Sequence, residues 1–175
     1  MFQKILAFVL CLLFFLSSAF VAAGASEDVF FGPFSAENLN GGGIVTDAYY
    51  GNAELTYINF WATWCGPCVG ELPALAQLGA ETDGKAQVIG ILMDAADMNG
   101  IRDEQAISAM RKLLDDANVQ YPVLYPEGDV IEVTIPYISA IPTTVVVDRH
   151  GMMLDMMQGA LPLNAWVSHV QQMLP

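Results

Sequence analysis

Two cysteines separated by only two residues constrain this chain more than any other feature. Cys65 and Cys68 directly follow an apolar, β-branched and aromatic run, Leu55–Trp61, which is typical of a buried strand. From Cys65 to Leu78 the apolar residues recur at helical spacing along one side, so a helix is predicted there. The pair therefore lies where a strand passes into a helix, and its spacing brings the second sulfur within disulfide reach.

A helix N-terminus favours redox chemistry at the first cysteine. Unpaired backbone N–H groups and the helix dipole stabilise a thiolate at that end, and the thiolate is the nucleophile in disulfide exchange. Pro67 suits the first helical turn because it has no N–H to leave unpaired. We therefore predict that Cys65 attacks a substrate disulfide and that Cys68, the more buried sulfur, resolves the mixed disulfide.

A zinc half-site and a structural disulfide are the alternatives for this pair. Structural zinc needs four ligands, and the sequence has no second C-x-x-C and no paired histidines, so no metal site is predicted. A disulfide between Cys65 and Cys68 closes a very short loop and constrains the unfolded chain little. The pair is therefore better explained by chemistry than by stability.

The N-terminal residues 1–25 have the features of a secretory signal. Lys4 supplies a positive charge, Ile5–Leu16 is apolar and uncharged, and Ala23–Ala25 fits a small-residue cleavage site before Ser26. An uncleaved membrane anchor is the alternative, because the apolar stretch approaches the roughly 20 residues of a spanning helix. Either reading predicts a location outside the cytoplasm, in the periplasm or at the outer face of the membrane.

Export would leave only two cysteines in the mature protein, and the chain as a whole is acidic. Removing the signal removes Cys11, one of three cysteines, and leaves only the close pair. The 175 residues carry a net charge of −13, from 19 acids against 6 Lys and Arg. Such a surface repels nucleic acid and anionic lipid, so neither is expected as a partner. The acids are scattered, which favours a simple role in solubility.

The remaining apolar patterns predict an α/β domain over residues 26–175. A strand–helix–strand unit implies a parallel pair with a right-handed crossover, and a later hairpin adds antiparallel strands. Val130–Tyr137 is ambiguous, because its alternation suggests a strand while Pro136 argues against a central one. The other predicted strands are Ile44–Thr46, Val88–Met93, Tyr121–Tyr125, Thr143–Val147 and Met152–Gln158, and the other helices are Arg102–Ala117 and Asn164–Leu174.

Two motifs give the chain a resemblance to a known family. Asn59–Cys68, with the sequence NFWATWCGPC, strongly resembles thioredoxin-like proteins of the TlpA/ResA family. Ala140–Thr144, about 75 residues further on, resembles the cis-proline loop of that family. The resemblance implies a thioredoxin fold, with a central mixed sheet flanked by helices and an N-terminal β extension. It also implies a short helix before the cis-proline, where Val130–Tyr137 reads more like a strand.

The resemblance also implies roles for individual residues. Pro142 is expected to be cis and to lie against the redox pair, with the backbone of Ile141 pairing with the substrate. Glu71 resembles the active-site glutamate of the family, which would exchange a proton with Cys68. Its alternative role is an acidic residue of the first helical turn that interacts with the dipole. Residues expected to contact substrate are Trp64, Gly66, Pro67, Ile141 and Pro142.

The predicted function is reduction of disulfides in exported proteins, because the Gly66–Pro67 dipeptide resembles that of reducing thioredoxins. Apocytochrome c is one implied substrate class, and a membrane thiol-electron donor is the implied source of reducing equivalents. The protein is expected to be a monomer with no cofactor beyond its redox-active disulfide. A copper or thiol-carrier binding module is the alternative. A peroxidase is a weaker one, because Thr63 lies two residues before Cys65, whereas the T-x-x-C motif requires three.

Overall fold

The computed structural model describes residues 31–97, 99–128 and 138–174. The predicted signal and Val130–Tyr137 lie outside these ranges. In chain order the elements are β1 (Ser35–Glu37), β2 (Ile44–Thr46), a short 3-10 helix (Asp47–Asn52), β3 (Leu55–Trp61), α1 (Gly66–Glu81), β4 (Ala86–Leu92), α2 (Glu104–Asp116), β5 (Val123–Leu124), β6 (Thr143–Asp148), β7 (Met153–Gln158) and α3 (Leu163–Met173).

A five-stranded mixed sheet organises the domain, with strand order β5-β4-β3-β6-β7. β3 is central, since it pairs in parallel with β4 and antiparallel with β6. Every residue of β3 is buried, which explains why its sequence is a continuous apolar run rather than an alternating one. The predicted parallel strand–helix–strand unit and the later antiparallel hairpin are both confirmed.

The two faces of β3 are covered by different parts of the chain. On one face, Trp61 packs with Leu72 of α1 and Met110 of α2, while Tyr57 packs with Trp166 of α3. The opposite face contacts the segment before β3, which includes Phe34 and Tyr50. This segment covers strand residues Ile58, Phe60, Ile89, Ile91, Val145 and Val147. The redox helix α1 thus rests on the face that carries Asn59 and Trp61.

The N-terminal β extension is confirmed as a two-stranded sheet of β1 and β2. It is attached to the edge of the main sheet, because the Leu39 N–H donates to the Val123 carbonyl at 2.7 Å. Arg102 adds an ion pair with Glu37 at 2.6 Å. No helix within the described ranges is long and apolar enough to cross a membrane.

Helix α1 runs further than its sequence pattern indicates, through Gly79 to Glu81. A Cβ at Gly79 would lie 3.4 Å from the carbonyl oxygen of Ala86, an ordinary contact distance, so this part of α1 packs in contact with β4. The helix is closed by Gly84, which has a φ of +73° and whose N–H donates to the Gly79 carbonyl at 2.8 Å. This left-handed conformation is one that glycine adopts without steric cost.

Candidate active site

The two cysteines lie at the start of α1, as predicted, and are joined by a disulfide with 5.3 Å between their Cα atoms. Cys65 is the N-cap residue, and its sulfur accepts a hydrogen bond from the Cys68 N–H at 3.3 Å. Cys65 is 6% exposed and Cys68 is fully buried. The first sulfur is therefore the one that a substrate can reach, and the Cys68 N–H, which would stabilise its thiolate, already donates to it.

The loop before Cys65 is fixed by a carboxylate that the motif itself does not reveal. Asp94 follows β4 and accepts hydrogen bonds from the Thr63 N–H at 3.1 Å and the Thr63 hydroxyl at 2.5 Å. Because β3 and β4 are parallel, their carboxyl ends meet at one edge of the sheet, which places Asp94 beside the redox loop. This position at a strand end is the signal by which the sequence could have identified it.

Exposed residues next to the disulfide form a surface that a substrate could contact. Trp64 is 73% exposed, and Gly66 and Pro67 are exposed as well. Trp64 also borders an open groove of about 530 Å³ between the redox loop and α2, whose lining includes Thr63, Asp94 and Ala106. Trp61, in contrast, is fully buried in the core that contains both cysteines.

The Ile141–Pro142 peptide bond is cis, as the resemblance predicted. This loop lies against the redox pair, since the Cys65 sulfur is 3.9 Å from the carbonyl oxygen of Ile141. The Gly159 N–H donates a hydrogen bond to the Pro142 carbonyl oxygen at 2.8 Å, which fixes the backbone of this loop. The structure therefore brings the cis-proline loop and Cys65 together at one surface.

Glu71 lies one helical turn beyond Cys68 and is only 2% exposed. Its carboxylate accepts a hydrogen bond from Asn59 Nδ2 at 3.0 Å and one from the Leu161 N–H at 3.3 Å. Burial raises the pKa of Glu71 to about 7, although these two hydrogen bonds oppose the shift. The alternative role in the first turn is wrong, because that turn holds no acidic residue and Glu71 lies beyond it, in the core.

A carboxyl group with a pKa near neutrality can both accept and donate a proton under physiological conditions. Asn59 holds it in place, and Asn59 is itself fixed by a second hydrogen bond from Nδ2 to Thr144 Oγ1 at 3.0 Å. Sequence reasoning identified Glu71 but assigned no part in holding it to Asn59, Thr144 or Leu161, which come from the sheet and the loop before α3. The site thus combines an accessible sulfur, a buried sulfur and a buried carboxyl group with a pKa near neutrality.

Comparison with known proteins finds a family whose sequence model matches most of this chain. The model of the AhpC/TSA family matches residues 31–156, most of the chain. Thiol-disulfide oxidoreductase ResA of Oceanobacillus iheyensis is 25% identical over 119 residues, which are 67% of this chain and 56% of that protein. Thioredoxin-like protein YneN of Bacillus subtilis is 30% identical over 105 residues, which are 59% of this chain and 56% of that protein. The matched segment thus spans little more than half the length of these two relatives.

A solved structure supports the fold assignment. The crystal structure of a thiol:disulfide interchange protein of the thioredoxin family, from Chlorobium tepidum, superposes with a TM-score of 0.69 at 20% identity. It covers 84% of this chain and 97% of that protein. At this identity the likeness establishes the fold, and the predicted thioredoxin fold is confirmed.

Proposed function

Since this chain belongs to the AhpC/TSA family of thioredoxin-like proteins, we propose that it is an exported thiol-disulfide oxidoreductase that reduces disulfides in other exported proteins. The observation that carries the proposal is the Cys65–Cys68 disulfide at the start of α1, with the cis-proline loop against the accessible sulfur. The names of the relatives agree with a thiol-disulfide exchange activity. The features of residues 1–25 support export.

The first step of the cycle starts from the reduced protein. The Cys65 thiolate attacks one sulfur of a substrate disulfide, forming an S–S bond to Cys65 and releasing the other substrate sulfur as a thiolate that takes up a proton. The substrate lies in an extended conformation against Cys65, held by the half-buried backbone of Ile141 and the exposed Trp64. Pro142 is itself buried and fixes the course of this loop from below the contact surface. Gly66 and Pro67 face the same surface.

The second step returns both sulfurs to the disulfide state seen here. The Cys68 thiol gives its proton to the Glu71 carboxylate, and the resulting thiolate attacks the Cys65 sulfur. A Cys65–Cys68 bond forms and the mixed disulfide breaks. The second substrate thiolate leaves and takes up a proton, and Glu71 releases the one it received. Two electrons pass to the substrate in each cycle, so a thiol donor must reduce the pair again. A membrane thiol-electron donor would serve an exported protein.

The reduction potential of the Cys65/Cys68 pair is the measurement that tests the direction of electron flow. Equilibration with defined thiol–disulfide buffers should give a value near −270 mV, typical of reducing thioredoxins. A value above about −150 mV would identify an oxidant and overturn the proposal.

Substrates can be identified by covalent trapping. Cys68→Ser removes the resolving sulfur, so exported proteins should accumulate as mixed disulfides on Cys65, visible as gel-shifted species released by a thiol reductant. Cys65→Ser is the matched control and should trap nothing. Apocytochrome c among the trapped proteins would assign that substrate class, and trapping of a wide set would indicate general disulfide repair.

Mass spectrometry of the mature protein should give an N-terminus at Ser26, and an intact residue 1 would indicate an anchor instead.

A further inference from the structure

Tyr121 has a buried hydroxyl that the cycle above does not use. It lies between α2 and β5, where its carbonyl oxygen accepts a hydrogen bond from Asn40 Nδ2 at 2.9 Å. Its ring packs against the clusters beneath α1. Within the described ranges, Tyr121 Oη is buried without a hydrogen-bond partner. Phenylalanine would fill the same space at lower cost in desolvation, so the hydroxyl calls for an explanation.

Within the described ranges the other buried polar atoms without a partner are Trp166 Nε1 on α3 and, on the face of β3 that α1 covers, Asn59 Oδ1 and Trp61 Nε1. Asn59 and Trp61 are two residues apart on β3, and Gly90 on β4 is the register partner of Asn59. A Cβ at Gly90 would lie 3.1 Å from Trp61 Nε1 and 3.5 Å from Tyr121 Cε2. The missing side chain at Gly90 therefore leaves this point to Trp61 Nε1 and the Tyr121 ring, next to the strand position of Asn59.

The three atoms complement one another in hydrogen bonding. Asn59 Oδ1 can only accept, Trp61 Nε1 can only donate, and Tyr121 Oη can do both. One ordered water at this point would satisfy all of them, since a buried water typically makes about three hydrogen bonds to such groups. The other end of the Asn59 amide is already occupied, because Nδ2 donates to Glu71.

Electrostatics link the same groups. Burial raises the pKa of Tyr121, and the nearby Glu71 carboxylate raises it further, so the hydroxyl remains protonated and available as a donor. Glu71 accepts hydrogen bonds from Asn59 of β3 and from the Leu161 N–H of the loop before α3. Cys68 lies one helical turn before it on α1, and Tyr121 lies close enough for the Glu71 charge to raise its pKa. Within the described ranges no lysine, arginine or histidine forms an ion pair with Glu71.

We propose that Tyr121 is a positioning residue for Glu71, acting through a hydrogen-bond relay in which the Tyr121 hydroxyl donates to one ordered water, the water donates to Asn59 Oδ1, and Asn59 Nδ2 donates to Glu71. The relay fixes the orientation of the Asn59 amide and stabilises the charged form of Glu71. Tyr121 itself transfers no proton. The effect on catalysis rests on the proposed function, because only there does Glu71 take the proton of Cys68, whereas the effect on Glu71 itself does not.

The direct test is a carboxyl NMR titration of Glu71 in the oxidised full-length protein, without substrate. Tyr121→Phe removes only the hydroxyl and should raise the titration midpoint of Glu71 by about one pH unit, as expected when support for a charged group is lost. Tyr49→Phe is the matched control, because Tyr49 packs on the opposite face of the sheet, and it should leave the midpoint unchanged. An unchanged midpoint in Tyr121→Phe would overturn the proposal.

A second variant tests whether the relay passes through Asn59. In an Asn59→Ala background, Tyr121→Phe should cause no further shift of the Glu71 midpoint. A shift as large as in the native background would show that the hydroxyl acts without Asn59 and would refute the relay. If Asn59→Ala does not fold, the presence or loss of an ordered water beside Asn59 Oδ1 in crystals of the native protein and of Tyr121→Phe decides the same question.

Kinetics separate this proposal from the proposed function. In Tyr121→Phe the pH profile of mixed-disulfide resolution should move upward with the Glu71 midpoint, so that the rate lost at pH 7 returns at higher pH. A purely structural role would lower the thermal stability and leave the profile in place. A reduction potential typical of an oxidant would overturn the proposed function while leaving the Glu71 titration, and hence the relay, intact.

Discussion

Replacing Glu71 with glutamine should change how the free energy of unfolding depends on pH, because the structure buries the carboxyl group of Glu71. Burial raises the pKa of Glu71 to about 7, from 4.5 for an exposed glutamate. The folded protein therefore binds this proton more tightly than the unfolded chain does. The stabilisation is complete below about pH 4.5 and is lost as pH rises to about 7. A separation of about 2.5 pKa units corresponds to roughly 3 kcal/mol.

The assay is chemical denaturation of the oxidised protein from pH 4 to pH 8. The free energy of unfolding of the native protein should fall by roughly 3 kcal/mol relative to Glu71→Gln as pH rises. The other titrating groups are common to both proteins and cancel in the difference. Glu81→Gln removes an exposed carboxylate from the same helix and should give a nearly constant difference. Parallel curves for the native protein and Glu71→Gln would refute the reasoning.

Three further substitutions test a buried position, a helix cap and a side-chain hydrogen bond. Met110→Ala removes a fully buried side chain on the inner face of α2. The free energy of unfolding should fall by about 2–5 kcal/mol in urea denaturation. Asp103→Ala removes the N-cap of α2, which accepts from two backbone N–H groups, and should cost about 1 kcal/mol. Asp116→Ala at the other end of that helix should cost nothing measurable, and equal losses would contradict the capping argument. Tyr57→Phe removes the 2.8 Å hydrogen bond to His169 Nδ1 and should cost about 1 kcal/mol. In a double-mutant cycle with His169→Ala, the two substitutions together should then cost less unfolding free energy than the sum of their separate costs. Strict additivity would show that the bond contributes no stability.

Much of the domain could be predicted because its signals are local. The bounds of β3 are as predicted, since a strand buried on both faces is a continuous apolar run between turn residues. Helix α1 was predicted to end before Gly79, where a glycine ordinarily signals termination, but it continues to Glu81. Contact between that glycine and β4 is a tertiary effect, and no local pattern contains it.

Cys65 and Cys68 were determined by the sequence alone, because spacing, a preceding strand and a following helix are all properties of neighbouring residues. Pro142 came from a motif as well, although only the fold places its loop, through Ile141, against Cys65. The chemical character of Glu71 was decided by tertiary structure, since its pKa depends on how much water the packed core excludes. The same holds for Asp94 and Tyr121, which are distant in the chain and reach the site only when β3, β4 and β5 align.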